Sequence, residues 1–519
     1  MTRLIILVWA VIVPTAVAAQ TPLGAVYDPN PTVSNGELSE VELLGLVGDM
    51  SRLEGGLARV VSCQDEDDGC TSVQHALADD GGDFFYTPNE AAAVDPFAEV
   101  NAYYHIVKAA TYFVDRHDVV WTCPCGTNDL SVILNYGSTQ NEASALAVYV
   151  SHRCDSFRCG AILLGKGVDA EQRTRNFAYD GDVLYHEYAH GIIDERNGNQ
   201  GVLVDAQGAS YEPGAVREGG ADYFAASISG DPLIAEYLEG IGFMPDEGAL
   251  RRIDQPLRCP QDLTGQMHKD GRILGAALWE IRELLAPDVA DAMILATLLS
   301  VGAEPTFSTV AERLLAEATQ LMTDATISAV QWQSVSDILM NAGLTDCERI
   351  LTLSEVEHIA YSGEPLVTLQ SGGIAPLHFK LSVPEHVVDI EFNVSTLVGT
   401  EGHTVFVRND APVEIDSEQQ VTADVSFESA GQVTHVRDTA NYSLPRGGVL
   451  YLAVASDNLG QGSNWFAISG RAVPAAVVGG AGCQILGHPS GDSCQFPCAI
   501  VLILGLAWLR VRALYTVRD

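Results

Sequence analysis

The spacing of hydrophobic and polar residues changes along this chain and predicts regions of different structure. Residues 24–90 alternate short apolar segments with Gly, Asn and Asp, which indicates strands and loops. Asp95-Pro96 predicts the start of a helix, because Asp favours the N-cap and Pro the first helical turn. The hydrophobic residues that continue at helical spacing are Phe97, Val100, Tyr104, Val107 and Val114.

The middle of the chain is predicted to be mainly helical. A strand is expected at 145–150. Helical patterns then cover 183–195, 215–228 and almost all of 271–342, including the segments 273–285 and 290–299.

The pattern after Cys347 indicates an all-β domain. Short strand-like runs separated by Gly, Pro, Asn and Asp occur at 366–369, 377–381, 388–392, 404–407, 421–427 and 449–454. This is typical of a β-sandwich and places a domain boundary near 346–360. Such a domain is either a spacer or a module that binds substrate or the cell wall.

Composition narrows the class of protein. The chain has 519 residues, of which 47% are hydrophobic and 18% charged, so it can bury cores of ordinary size. Its formal net charge of −40 would repel phosphate backbones, which disfavours nucleic acid as a partner.

Both ends of the chain have features of targeting segments. An apolar run at 4–13, followed by small residues up to Ala19, has the layout of a secretory signal peptide. Near the other end, an apolar run at 499–509 followed by arginines resembles the sorting signals of bacterial surface proteins. A short membrane anchor or a hydrophobic tail packed on the body are the alternatives. We therefore expect an exported protein that is extracellular or held at the cell surface or outer envelope.

The cysteines fit an oxidising compartment, where disulfides are expected. Cys63–Cys70 and Cys154–Cys159 could close small loops, and Cys259–Cys347 could staple the helical region, although spacing alone does not fix the pairing. The acidic run at 65–68 makes Ca²⁺ a candidate cofactor, with a solvated loop as the alternative.

The chemistry is indicated by an HEYAH motif in which His186 and His190 flank Glu187. Residues four apart lie one turn apart on the same face of a helix, so both imidazoles can bind one ion. Zinc is the typical ion, and Glu187 would lie beside its open coordination position. For the motif alone, a surface helix with two solvated histidines is the alternative.

A second helical pair strengthens the zinc interpretation. Glu218 and Asp222 are also four residues apart, and a carboxylate is the third ligand of a His₂Glu zinc site. Asp222 can accept the remaining N–H of a ligating imidazole. Alone, the pair would be an exposed acidic face; together with the histidines it favours a metal site.

The segments HEYAHGIIDE and GAVREGGAD resemble the paired zinc helices of the gluzincin peptidases, specifically the thermolysin-like and fungalysin-like families. The resemblance covers roughly residues 24–345. It implies Zn²⁺ bound by His186, His190 and Glu218, with Glu187 as the general base and Asp222 supporting a ligand.

Three further roles are implied by the same resemblance. Arg251, in ALRRIDQP, matches the family's arginine that grips the substrate carbonyl. His268, in MHKDGRI, matches the family's later histidine, which assists transition-state stabilisation. Tyr211 is similar to the oxyanion-assisting tyrosine. The chain departs from the family at two places. The insert between His190 and Glu218 is longer, and the family's edge-strand motif is not cleanly present, with 141–144 as its nearest match.

The resemblance implies a two-lobed thermolysin-like metallopeptidase unit. With the β-sandwich that the strand pattern predicts after it, the expected fold class is α+β. The expected segments are a signal peptide (1–19), a β-rich N-terminal lobe (20–182), a helical lobe with the zinc helices (183–348), the β-sandwich (349–475), and a linker with the C-terminal sorting or anchor segment (476–519). The expected function is a secreted or surface-anchored zinc endopeptidase acting on proteins or peptides. The alternative is a catalytically inactive cell-surface binding or structural protein that retains the peptidase fold.

Overall fold

The protein has a mixed α+β fold, seen in a computed structural model. The structure describes residues 21–64, 70–122, 130–137, 147–151, 160–169, 171–198, 201–241, 248–362, 373–399, 402–416, 420–429, 431–456 and 464–475. One compact unit reaches as far as Ala475. The expected signal peptide and C-terminal segment, the acidic run at 65–68 and the segment 141–144 lie outside the described residues.

The N-terminal part is built on a five-stranded sheet. Its region contains β1 (Leu23–Val26), β2 (Ser39–Glu42), β3 (Ala58–Cys63), β4 (Ser72–Val73), β5 (Leu130–Leu134), β6 (Ala147–Val150), β7 (Ala161–Leu164), β8 (Lys166–Val168) and β9 (Thr174–Asn176). The sheet order is β4-β3-β5-β7-β6, with β3, β5 and β7 parallel and the two edge strands antiparallel to their neighbours. Because alternate residues of the central strands enter two separate hydrophobic clusters, these strands are apolar on both faces.

The predicted helices are present. They are α1 (Pro96–His117), α2 (Gly181–Asn197), α3 (Glu212–Ser229), α4 (Met267–Leu284), α5 (Pro287–Leu298), α6 (Phe307–Thr323) and α7 (Ala329–Asn341). Short 3₁₀ turns occur at Phe177–Tyr179, Glu236–Leu238 and Leu344–Asp346. Asp95 is the N-cap of α1 as predicted, but its carboxylate accepts a hydrogen bond from the Tyr179 hydroxyl instead of capping the helix.

Two short strand pairs connect the central helices. The hairpin β10 (Leu203–Asp205) and β11 (Gly208–Ser210) occupies the long insert between α2 and α3. The pair β12 (Leu233–Ile234) and β13 (Arg251–Arg252) follows α3 and carries Arg251.

Helices α3 and α4 approach closely at two glycines. A Cβ added at Gly219 would lie 2.4 Å from the carbonyl oxygen of Gly271, and a Cβ at Gly271 would lie 2.9 Å from that of Ala215. Only a residue without a side chain allows this separation. The contact brings the first turn of α4 next to Glu218.

The described C-terminal part contains two packed sheets and a separate strand pair, Glu414–Ile415 with Val421–Thr422. Its strands are β14 (Ile350–Thr352), β15 (His358–Tyr361), β16 (Gly373–Ile374), β17 (His378–Ser382), β18 (Val387–Val398), β19 (His403–Asn409), β20 (Glu414–Ile415), β21 (Val421–Thr422), β22 (Val425–Ser429), β23 (Val433–Val436), β24 (Val449–Ser456) and β25 (Trp465–Pro474). One sheet has the order β14-β17-β24-β19-β22, with β16 also paired to β24, and the other β15-β25-β18-β23. Contacts such as Phe379 with Phe466 join them across the core. Most predicted runs coincide with strands; 366–369 lies outside the described residues.

Two of the anticipated disulfides are present, Cys63–Cys70 and Cys259–Cys347. The second joins the segment before α4 to the segment before β14. The pair Cys154–Cys159 lies outside the described residues. Within the described residues, no helix is both long enough and apolar enough to span a bilayer.

Candidate metal centre and its cleft

Helix α2 carries three of the predicted site residues side by side. The Asp180 carboxylate caps this helix by accepting the N–H of Asp182 at 3.0 Å. One and two turns later, His186, Glu187 and His190 are each only 5% exposed. Burial rules out the alternative of two solvated histidines on a surface helix.

The imidazoles converge on the carboxylate of Glu218, which α3 supplies. The two Nε2 atoms lie 3.0 Å apart. Nε2 of His186 is 3.3 Å from one Glu218 oxygen, and Nε2 of His190 is 3.5 Å from the other. These three residues are a group that could hold a metal ion.

The donor set fits zinc in three respects. Tetrahedral zinc with ligand bonds of about 2.0–2.2 Å separates its ligand atoms by about 3.3–3.6 Å, close to the observed distances. Oε2 of Glu218 is buried and has no hydrogen-bond partner among the described residues. Finally, the carboxylates of Glu187, Glu218, Asp194 and Asp222 face two guanidinium groups among the described residues. With neutral imidazoles, two negative charges of this described set remain for a divalent cation to balance.

The electrostatics of the cluster also favour a cation. Burial alone would lower the pKa values of His186 and His190, but hydrogen bonds and charges from the surrounding carboxylates raise both. Burial alone would raise the pKa of Glu218, but His268 and His190 hold it well below its ordinary value. The carboxylate of Glu218 is therefore ionised and ready to act as a ligand.

His186 is supported from behind by an ion pair. Its Nδ1 lies 2.8 Å from Asp222, and Nε and Nη2 of Arg251 each donate to the Asp222 carboxylate at 2.7 Å. Although burial opposes it, this arginine keeps the pKa of Asp222 well below its ordinary value. Asp222 thus fixes the imidazole so that Nε2 is the free ligand atom.

His190 has a parallel support that the sequence analysis missed. Its Nδ1 lies 3.5 Å from Asp194, and the guanidinium of Arg217 binds both oxygens of that carboxylate. The signal was present in the sequence, because Asp194 follows His190 by one helical turn and Arg217 directly precedes Glu218. Each of the two histidines that could hold a metal ion therefore lies next to an aspartate that an arginine binds, closely at His186 and at 3.5 Å at His190.

Glu187 is held by the edge strand β6. Its Oε2 accepts the backbone N–H of Tyr149 at 2.6 Å. Burial raises the pKa of Glu187 above its ordinary value of 4.5, although the two histidine rings oppose the shift. A carboxylate with a raised pKa is a better proton acceptor near neutral pH.

His268, in the first turn of α4, has its tautomer fixed by Gln266. The side-chain oxygen of Gln266 accepts the N–H of Lys269 at 2.8 Å, so its amide NH₂ faces Nδ1 of His268, also at 2.8 Å. An NH₂ group can only donate, so Nδ1 accepts and the proton of the neutral ring is on Nε2. That nitrogen lies 3.5 Å from Glu218.

Tyr211 is the predicted site residue that the structure does not bring to the ligands. It is not among the described residues that line the cleft. Its buried ring belongs instead to an aromatic cluster with Tyr361 and Trp465 of the C-terminal sheets.

A cleft of about 460 Å³ opens over the cluster. His186, Glu187, Arg251 and His268 line it. The rest of the lining is largely apolar and includes Phe177, Val183, Ile234, Leu238, Ile241 and Leu250. A mainly apolar cleft with a few convergent polar groups is typical of a substrate site.

A second group with metal-ligand chemistry lies on the C-terminal sheets. Asp389, Glu391 and His435 come together there. However, Arg437 binds Asp389 at 2.6 Å and Arg471 binds Glu391 at 2.7 Å. Since arginines already neutralise these carboxylates, we interpret this group as an ion-pair network.

Three buried carboxylates, which we call the acidic triad, lie at the start of α2. They are Asp180, Asp182 and Glu236, and no arginine or lysine in the described part of the chain forms an ion pair with them. Oδ2 of Asp180 and Oδ1 of Asp182 have no hydrogen-bond partner among the described residues. Burial, and then mutual repulsion, raises the pKa values of Asp180 and Asp182 well above the ordinary value of 3.8.

The structure thus brings together seven of the eight predicted site residues and leaves Tyr211 apart. No protein-family model and no curated protein sequence matches this chain. The functional interpretation therefore depends on the geometry described above.

Proposed function

We propose that this protein is an exported zinc endopeptidase whose catalytic unit is two-lobed and thermolysin-like. The observation that carries the proposal is the convergence of His186, His190 and Glu218 beside Glu187, at the base of an open cleft. Zinc held by these three side chains would supply Lewis-acid activation of a water molecule and of the substrate carbonyl.

The protein's own groups account for the proton transfers. Glu187 accepts a proton from the water as its oxygen attacks the peptide carbon. It then delivers that proton to the amine when the C–N bond breaks. The Nε2–H of His268 donates to the developing oxyanion. Arg251 binds Asp222 through Nε and Nη2, and its Nη1 donates to a substrate carbonyl.

The cleft supports a peptide as the substrate. Its apolar lining suits a hydrophobic side chain next to the scissile bond. Strand β6 is an edge strand of its sheet and lies against Glu187, so an extended peptide could pair with it.

Export is part of the same proposal. The N-terminal apolar run supports secretion through a signal peptide. The disulfides Cys63–Cys70 and Cys259–Cys347 support an oxidising compartment.

The proposal is tested with the oxidised full-length protein. We expect one zinc per chain by elemental analysis, and casein hydrolysis that a zinc chelator abolishes and zinc restores. Glu187→Gln is the matched control, because it should retain zinc and folding while hydrolysis falls by about 10²–10⁴-fold. Wild-type turnover in this variant would exclude Glu187 as the base. If the zinc-loaded wild type cleaves no peptide, the alternative of an inactive surface protein is favoured.

A further inference from the structure

Two residues of the C-terminal sheets line the catalytic cleft. Val398 at the end of β18 and Trp465 at the start of β25 are register partners in the sheet, and both lie in the cleft lining with Glu187 and His268. Val398 is 37% exposed, whereas Trp465 is almost fully buried. Val398 therefore offers apolar surface to the cleft, and Trp465 lies beside it in the same wall.

This wall is fixed to the segment that carries His268. The backbone N–H of Tyr361 donates to the carbonyl of Thr264 at 2.8 Å, and Nε2 of His358 contacts the carbonyl of Leu263 at 2.7 Å. The rings of Tyr361 and Trp465 are 5.1 Å apart, and Met267 packs against their cluster. The sheet and the start of α4 thus form one packed layer.

A second contact fixes the sheets to the insert between the zinc helices. The N–H of Ile415 donates to the carbonyl of Ala206, between β10 and β11, at 2.7 Å. Arg349 binds Asp205 at 2.5 Å and the carbonyl of Ala209 at 3.1 Å. Contacts with the insert before α3 and with the segment before α4 thus attach the C-terminal part to both sides of the cleft region.

We propose that the C-terminal β-sheets form one wall of the substrate-binding cleft, in which Val398 contacts an apolar side chain of the bound peptide and Trp465 positions Val398. This inference rests on the proposed peptidase function and adds a specificity determinant to it. It goes beyond the interpretations of the domain drawn from sequence, a spacer or a module that binds substrate or the cell wall, because the sheet contributes to the catalytic site itself. The proposed occupant of the cleft is an extended peptide, because Val398 and Glu187 line the same cleft.

The test compares Val398→Asp with the wild type in zinc-loaded, full-length protein, using a library of peptides varied one position at a time. A carboxylate at 398 should lower kcat/KM by about ten-fold or more for peptides with Leu or Phe at one position, and should favour Lys or Arg there. Val433→Asp is the matched control, because Val433 is 54% exposed on β23 of the same sheet and does not line the cleft. An unchanged preference in Val398→Asp would overturn the proposal.

A binding measurement separates this inference from the peptidase proposal. Glu187→Gln protein retains the cleft, so the affinity of uncleaved library peptides can be measured with and without Val398→Asp. If Val398→Asp weakens the binding of peptides with an apolar residue at the selected position by tenfold, the proposed cleft wall is supported. This holds even if the wild-type protein cleaves no peptide. Equal affinities in the two proteins would refute it while leaving hydrolysis as a separate question.

Discussion

The side-chain amide of Gln266 donates to Nδ1 of His268 across 2.8 Å. Because the same side chain caps α4 through its oxygen, its orientation is set by the helix and not by the histidine. His268 therefore presents an N–H from Nε2 to the cleft, and burial lowers the pKa of its ring, which favours the neutral form. A neutral donor stabilises an oxyanion without adding a positive charge beside the candidate metal centre.

Gln266→Leu should release the His268 ring and lower kcat/KM by about ten-fold. This loss is smaller than the ~10²–10³-fold expected when the donor itself is removed in His268→Ala.

The tautomer of His268 is measured directly by a ¹⁵N spectrum of the histidine rings, assigned with His268→Ala. It should show an unprotonated Nδ1 in the wild type and a proton on Nδ1 in Gln266→Glu. A proton on Nδ1 of the wild-type ring would contradict this tautomer.

Asp194→Asn should weaken zinc binding by about 10–100-fold, because the amide no longer supplies a charged partner for His190. Asp222→Asn is the matched variant on the other histidine and should give a loss of the same order. Competition with a chromophoric chelator measures both dissociation constants. Unchanged zinc affinity in Asp194→Asn, with a clear loss in Asp222→Asn, would mean that only one histidine depends on its aspartate.

Gly271→Ala should push α4 away from α3, because the added Cβ would lie 2.9 Å from backbone atoms of Ala215 and Gly219. We expect the free energy of unfolding to fall by about 1–3 kcal/mol, together with a loss of hydrolysis as His268 moves from Glu218. Urea titration checks the first effect and peptide hydrolysis the second. Gly56→Ala, where the new Cβ meets open space, should change stability by no more than about 0.5 kcal/mol.

Asp180 and Asp182 of the acidic triad should make the free energy of unfolding fall as pH rises. The folded-state pKa values of Asp180 and Asp182 are raised, so their protonated forms stabilise the fold fully below about pH 4, and this contribution is lost as pH rises through the folded-state values. Asp180→Asn keeps the helix cap, since Asn caps as well as Asp. Its melting temperature should therefore exceed that of the wild type by a margin that grows from pH 4 to pH 8. A variant less stable than the wild type at pH 8 would indicate a cation bound among the carboxylates.

The buried group that could hold a metal ion could be located from sequence because its residues repeat at helical spacing. His186 with His190, and Glu218 with Asp222, each span one turn, and the structure places both pairs on buried helices. The prediction for α4 was less complete, since the pattern indicated a start near 271 whereas the helix begins at Met267. The difference matters because it puts His268 inside the first turn, where Gln266 can act as both cap and partner.

The contacts between distant segments could not be predicted in this way. Strands β14 and β16 have only three and two residues, too few to show alternation, and Gly470 interrupts the pattern of β25. No periodicity relates Trp465 to His268, because their proximity depends on how the sheets pack against α4. The same limit explains why the position of Tyr211 could not be predicted. Its place in the chain suggested that it lies in the cleft, but its ring lies among aromatic residues that the sheets contribute.

The bond between Cys259 and Cys347 encloses the four helices α4 to α7 in one covalent loop. A protease that cuts a turn between these helices would not detach the sheets from the rest of the molecule, because the disulfide still joins the two fragments. In gel electrophoresis the two fragments would migrate as one species until a reductant was added. The layer that holds His268 and Val398 would keep its packing contacts. Under the proposed function, a single cut within this loop would therefore leave the proposed catalytic groups and the cleft wall covalently linked through Cys259–Cys347.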